Sequence, residues 1–189
     1  WGWRADFVAL AVLGALVILG VLAFVPETRS PTSRHASASV LRSLGVAFRD
    51  AELRDVALSL GVQAFGFYAY IATSSFIVER EFGFSPAAFA LVFGTNAAVI
   101  CGMNILFRHL VRSRHPRVPL GIGYTAALVG GSSLALGAAL AAPVGLLWGA
   151  TIVFAAGMGF VLPGAHSWGQ LTRPASGAAS ALTGAAQFL

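Results

Sequence analysis

The sequence predicts an all-α membrane protein, and three observations carry that prediction. Of 189 residues, 57% are hydrophobic and only 10% charged, against about 25% charged in a soluble domain. The apolar residues gather into runs long enough to cross about 30 Å of hydrocarbon. The arginines between those runs alternate in density from loop to loop, as the topology rule for membrane proteins requires. A formal charge of +5 would suggest nucleic acid in a soluble chain. Here the basic residues sit in short loops between apolar runs, so the lipid bilayer is the expected partner and nucleic acid is not. All twelve basic residues are arginine, for which we have no physical account. Cys101 stands alone in mid-span, which leaves no disulfide framework and no metal-type pairing.

Trp1–Asp6 reads as an interfacial lead-in, with Trp1 and Trp3 as anchors. Phe7–Val25 is the first span, apolar on all sides and ended by Pro26. Residues 27–56 are polar and basic. Ser30–Ser39 has the composition of a flexible linker. In Val40–Phe48 the apolar residues Val40, Leu41, Leu44, Ala47 and Phe48 recur at helical spacing, which suits a short amphipathic helix on the membrane surface; a solvated connector is the alternative.

Ala57–Val78 is the second span and the most informative. It is 22 residues without a charge, yet it holds Gln63, Tyr68, Tyr70, Thr73, Ser74 and Ser75. An unpaired amide in hydrocarbon costs several kcal/mol. Gln63, Phe67, Tyr70 and Ser74 fall at i, i+4, i+7 and i+11 and share a face. That face is expected to meet other helices or a polar cavity. It is the first candidate for contact with a substrate, and helix packing with satisfied hydrogen bonds is the plainer reading.

After the connector Glu79–Pro86, Ser85-Pro86 should open the third span, Ala87–Phe107, with serine as N-cap. This span carries Asn96 and Asn104, two further candidates, and a Gly94-xxx-Ala98 step suited to close helix approach. The basic loop Arg108–Arg117 follows. Val118–Ala141 is the fourth span, rich in glycine and holding the candidate Tyr124. Ala142-Pro143 is a tight connector, which makes the fourth and fifth spans antiparallel neighbours. Val144–Pro163 is the fifth span, with a Gly145-xxx-Gly149 step. Gly164–Pro174 reads as a loop bearing His166, Trp168 and Arg173. Ala175–Leu189 begins a sixth span, too short to cross, in which Gly177, Ala181 and Ala185 line one face.

One set of loops holds Arg29, Arg34, Arg42, Arg49, Arg54, Arg108, Arg112, Arg114, Arg117 and Arg173; the other holds Arg4 and Arg80. The rich side, comprising 27–56, 108–117 and 164–174, is expected to be cytoplasmic. The complete spans, drawn with these limits, have no ionisable residue inside, so no proton relay is expected within them. Arg108, Arg112 and Arg114 suit either simple topology signals or an inward gate. No nucleophile, metal or phosphate-cradling motif appears, so neither catalytic residues nor a cofactor are expected.

Several stretches resemble a known family. Trp1-Gly2-Trp3-Arg4 before an apolar span, closed by Phe24-Val25-Pro26-Glu27-Thr28, resembles the sixth helix of major facilitator superfamily transporters. Phe67-Tyr68-Ala69-Tyr70-Ile71-Ala72-Thr73-Ser74-Ser75-Phe76-Ile77, then Gly83-Phe84-Ser85-Pro86 and Phe93-Gly94-Thr95-Asn96-Ala97, resemble helices seven and eight of its Bcr/CflA multidrug-efflux branch. Gly157-Met158-Gly159-Phe160-Val161-Leu162-Pro163, and Gly177-Ala178-Ala179-Ser180-Ala181-Leu182 through Gln187-Phe188-Leu189, resemble helices ten and eleven.

The resemblance implies a portion of a twelve-helix bundle, with five complete transmembrane helices and a truncated sixth. Residues 1–26 would be the last helix of the N-terminal six-helix bundle. Residues 27–56 would be the central cytoplasmic linker, and 57–189 an incomplete C-terminal bundle. It implies a bacterial inner-membrane exporter that exchanges drug-like compounds for protons by alternating access. The remaining helices of the same transporter would be partners, and the proton-handling carboxylate would lie in the absent N-terminal half. An exporter of a metabolite such as an amino acid is the near alternative. A membrane-embedded enzyme and a non-transporting membrane subunit are the alternatives from other classes.

Overall fold

The computed structural model describes residues 4–26, 40–171 and 176–188. Every regular element among them is helical. The chain divides into two compact units, 1–38 and 39–189. The expected linker of Ser30–Ser39 lies outside the described residues.

The first unit contains α1, Arg4–Phe24. Its 21 residues carry Asp6 in the first turn and stop just before Val25-Pro26, where the ring ends the helix.

The second unit contains α2 (Val40–Arg49), α3 (Ala51–Phe76), α4 (Pro86–Leu110), α5 (Arg117–Ala139), α6 (Val144–Gln170) and α7 (Ser176–Phe188). Five helices of the chain, α1 and α3 to α6, are long and apolar enough to cross a membrane. α7, at 13 residues, is shorter than a crossing needs. The expected helix at Val40–Phe48 is present as α2. It packs through Ala47 against Leu53 and Ala57 of α3 and Ala179 and Leu182 of α7.

α3 starts six residues before the apolar run, at Ala51 rather than Ala57. Asp50 supplies the reason: its extended backbone and side chain cap the helix, with Oδ1 accepting from the Leu53 N–H at 3.0 Å. The charged first turn holding Glu52, Arg54 and Asp55 is thus helix and not linker. At the far end α3 widens into a π-turn, Ile77–Glu81, closed by Gly83 at φ +67°. Ser85 then caps α4 as expected, accepting from the Ala88 N–H at 3.3 Å, with Pro86 in the first turn.

A larger difference concerns α6. The expected loop from Gly164 is helical through Gln170, with Pro163 inside the helix. Proline removes one backbone donor and crowds the carbonyl four residues back. That residue is Gly159, which has no side chain to add to the crowding. Met158, Val161 and Ala165 around it are wholly buried.

α6 is the hub of the unit and packs on α3, α4, α5 and α7. Its longest seam is with α5, the antiparallel neighbour expected from the Ala142-Pro143 connector. A Cβ on Gly157 would lie 2.4 Å from the Ala127 backbone nitrogen, and one on Gly130 would lie 2.4 Å from that of Phe154. Backbones therefore touch along this seam, which only glycine permits. The expected approach steps elsewhere are not used within the described residues: Gly94, Gly145 and Gly149 have nothing within 4 Å of a Cβ position. The face Gly177, Ala181 and Ala185 of α7 is exposed, and Ala179, Leu182 and Thr183 are its buried side. Spacing reveals a small-residue stripe but not which stripe has a neighbour.

Candidate functional site

Three helices bring polar side chains together toward the π-turn end of α3. α3 presents Tyr70, α4 presents Asn96 and α6 presents Thr151. Asn96 is 2% exposed, and a buried amide in hydrocarbon must find partners. Its Nδ2 donates to Tyr70 Oη at 2.6 Å and to Thr151 Oγ1 at 3.1 Å. Thr151 Oγ1 also donates to the Trp148 carbonyl of its own helix at 2.8 Å. The Tyr70 ring lies between Phe93 of α4 and Phe154 of α6, at centroid distances of 6.5 and 6.4 Å. The tyrosine is held by rings on two sides while its hydroxyl stays in the polar set.

Beside this triad is a cavity of about 100 Å³ walled by Tyr70, Ser74, Trp148 and Thr151 with apolar side chains of the π-turn region and α5. Drug-sized pockets run to several hundred Å³, so this space alone holds no such molecule. Ser74 is buried and returns its hydroxyl to the Ile71 carbonyl. Gln63 sits two turns further in, where its Nε2 donates to Met158 Sδ of α6 at 3.2 Å. Phe67 is half-buried, with its ring 5.9 Å from that of Tyr68.

The other two candidates lie apart from the triad. Asn104 donates to the carbonyl of Ile100 in its own helix at 3.0 Å and does not join Asn96. Tyr124 of α5 meets Ser59 of α3, oxygen to oxygen at 2.8 Å. Ser59 and Thr151 were not among the sequence candidates. Ser59 extends the Gln63 stripe by one turn. Thr151, Phe154 and Met158 recur at i, i+3 and i+7, a signal hidden because α6 is apolar almost throughout.

A second polar region lies at the other end of α3. The N-terminal turns of α3 and α5 and the last turns of α6 border an open groove lined by Glu52, Asp55, Val56, Ser59, Arg117, Leu120, Tyr124 and Trp168. Arg117 makes an ion pair with Glu52 and places its guanidinium 4.2 Å from the centre of the Trp168 ring. His115 meets the same indole at 4.9 Å. Arg117 is thus the arginine of the 108–117 stretch that pairs with a carboxylate of α3. His166, no longer in a loop, reaches Gln187 of α7 with 2.9 Å between Nε2 and Oε1. His166 is thus helical, in the seven residues of α6 that follow Pro163.

Fold and site together define a multi-span helical membrane protein whose spans meet through hydrogen-bonded polar side chains. The chain belongs to the Major Facilitator Superfamily, whose model matches residues 1–189. It is 28% identical over 110 residues to a protein of Bacillus subtilis (strain 168) described as the uncharacterized MFS-type transporter YdgK; the match covers 56% of this chain and 27% of that relative. The matched region thus spans about a quarter of the length of that curated relative. No solved structure matches. The superfamily is one of membrane transporters, and the Bacillus relative is described as a transporter of that type.

Proposed function

We propose that the chain is the C-terminal portion of a secondary transporter of Bcr/CflA type, exporting drug-like compounds in exchange for protons across a bacterial inner membrane. Residues 1–26 are the last helix of the first bundle, and the second bundle begins with α3. The arginine-rich loops face the cytoplasm. Two bundles rock about a midplane cavity, and α3 forms one wall.

The observation that carries this reading is the Tyr70–Asn96–Thr151 set, drawn from three spans of a superfamily member. An aromatic ring, an amide and two hydroxyls give weak, adaptable contacts suited to amphipathic molecules. Gln63, Phe67 and Ser74 continue the same wall along α3. Asn104 and Tyr124 are weaker candidates, since each is paired away from it.

The test is transport in everted vesicles from cells making the full-length protein, across an imposed pH gradient, with a compound panel. Gln63→Ala and Tyr70→Ala should each change several-fold which compounds are moved, at equal expression and with normal insertion. Profiles identical to the parent would remove these residues from the substrate path.

A further inference from the structure

The short helix α2 has no role in the reading above. Its ten residues are too few for a helix to hold itself in water, so its surroundings must keep it folded. On one side the bundle does so. Ala47 is buried against Leu53 and Ala57 in the first two turns of α3 and against Ala179 and Leu182 in the first two turns of α7. These contacts also fix the depth of α2. At that level α3 passes from its charged turn of Glu52, Arg54 and Asp55 to the uncharged run that begins at Ala57. α2 therefore lies where water gives way to hydrocarbon.

The other sides of α2 follow from helical geometry. Successive residues turn about 100°, so Phe48 and Val46 lie about 100° to either side of Ala47, and Arg42 and Arg49 lie opposite it. Leu44, half-buried, falls between Ala47 and Phe48, while Ser43 falls on the Val46 side. The Leu44–Phe48 side is thus the apolar one. It is only partly covered by protein, since Phe48 is 58% exposed. With Ala47 turned sideways to the bundle, Phe48 points to the hydrocarbon and the exposed arginines stay level with the headgroups. Nearby carboxylates do not neutralise them. Asp50 accepts from the Leu53 N–H, Glu52 pairs with Arg117, and Asp55 lies against Arg54. Neither Arg42 nor Arg49 has an ion-pair partner among the described residues.

We infer that this face of α2 is a binding site for anionic phospholipid headgroups, with Arg42 and Arg49 as phosphate ligands and Phe48 as the apolar anchor. The two arginines stand about 10 Å apart along the axis, and each guanidinium can offer a phosphate two parallel N–H donors. The bilayer is the occupant because α2 already lies at its surface, with an uncovered apolar side next to unpaired positive charge. The site goes beyond the transport reading and does not depend on it.

The experiment is amide hydrogen exchange of residues 40–49 in the full-length protein. It is held in nanodiscs of phosphatidylcholine, or of phosphatidylcholine and phosphatidylglycerol in equal parts. Each arginine at an anionic surface is worth about fivefold in affinity, so exchange should slow at least about tenfold in the mixed discs. About 0.5 M salt should remove most of that difference. Arg42→Gln with Arg49→Gln should abolish it. Arg42→Lys with Arg49→Lys keeps the charge and should keep most of the difference, which separates lost attraction from a lost helix. Arg108→Gln with Arg112→Gln, in the loop after α4, should leave it intact. Phe48→Ser should speed exchange in both discs, and Phe48→Leu should not. Equal exchange of the parent in the two discs would overturn the site and give the uncovered side to a protein segment. So would a difference that survives loss of both Arg42 and Arg49, or slowing by inorganic phosphate alone in phosphatidylcholine discs.

Discussion

The α5–α6 seam and the meeting of α3, α4 and α6 around Asn96 hold helices together in opposite ways. Along the seam the backbones touch, because Gly130 and Gly157 leave no side chain between them. Around Asn96 the helices are joined by hydrogen bonds between side chains. In hydrocarbon there is no hydrophobic force to bring helices together, so close packing and polar pairing are the two available means. A glycine seam is rigid and indifferent to small molecules. A hydrogen-bonded set can exchange a partner for a ligand hydroxyl or amine. Within this one unit the first serves as frame, and the second is where we propose that a substrate makes contact.

Three substitutions break or sharpen that contrast. The largest effect is expected from Gly157→Leu, which puts a branched side chain where even a Cβ meets backbone at 2.4 Å. The full-length protein should lose its monodisperse peak in detergent, since overpacking costs about 1–3 kcal/mol and more where backbone is in the way. Gly149→Leu, in open space on the same helix, should be tolerated. Equal behaviour of the two would refute the seam as the frame. Asn96→Leu comes next. It leaves the Tyr70 and Thr151 hydroxyls without their shared donor, at a cost of about 0.6–1.7 kcal/mol as measured for polar pairs between membrane helices. Thermal unfolding in detergent should fall by a few degrees, and the substrate profile should change with it. An unchanged profile would make the triad purely structural. The smallest effect is a gain. Ala141, in the turn that feeds the seam, has φ +49°, a conformation that penalises a side chain. Ala141→Gly should raise stability by about 0.5 kcal/mol, and a loss would show that the turn is not strained.

Much of the frame was legible in the sequence, because hydropathy and charge report directly on lipid and water. The spans, their order, the Ser85 cap and the tight turn before α6 all follow from such signals. Less of the site was legible. The stripe on α3 and the amide on α4 could be seen, and the structure joins Tyr70 to Asn96. Periodicity places residues on a face of their own helix and is silent on which foreign helix faces them. That is why Asn104 and Tyr124 went to other partners, and why Thr151 and Ser59 passed unnoticed. The helix ends failed for a different reason. Charged first turns and a proline look like loop to a hydropathy reading, although Asp50 and Gly159 make helix possible there.

The 27 residues of α6 form a rod about 40 Å long, while the oily slab of a bilayer measures about 30 Å. The surplus of about 10 Å equals the seven residues beyond Pro163, the same stretch that hydropathy had discarded. Either the rod leans or its tip rises through the headgroups into water. A standing tip carries His166 and Trp168 up like a mast above the deck, within reach of dissolved molecules but anchored in the part of the protein that lipid grips. Movements of the hub would then be displayed outside the membrane, at the lip where Arg117 and Trp168 meet.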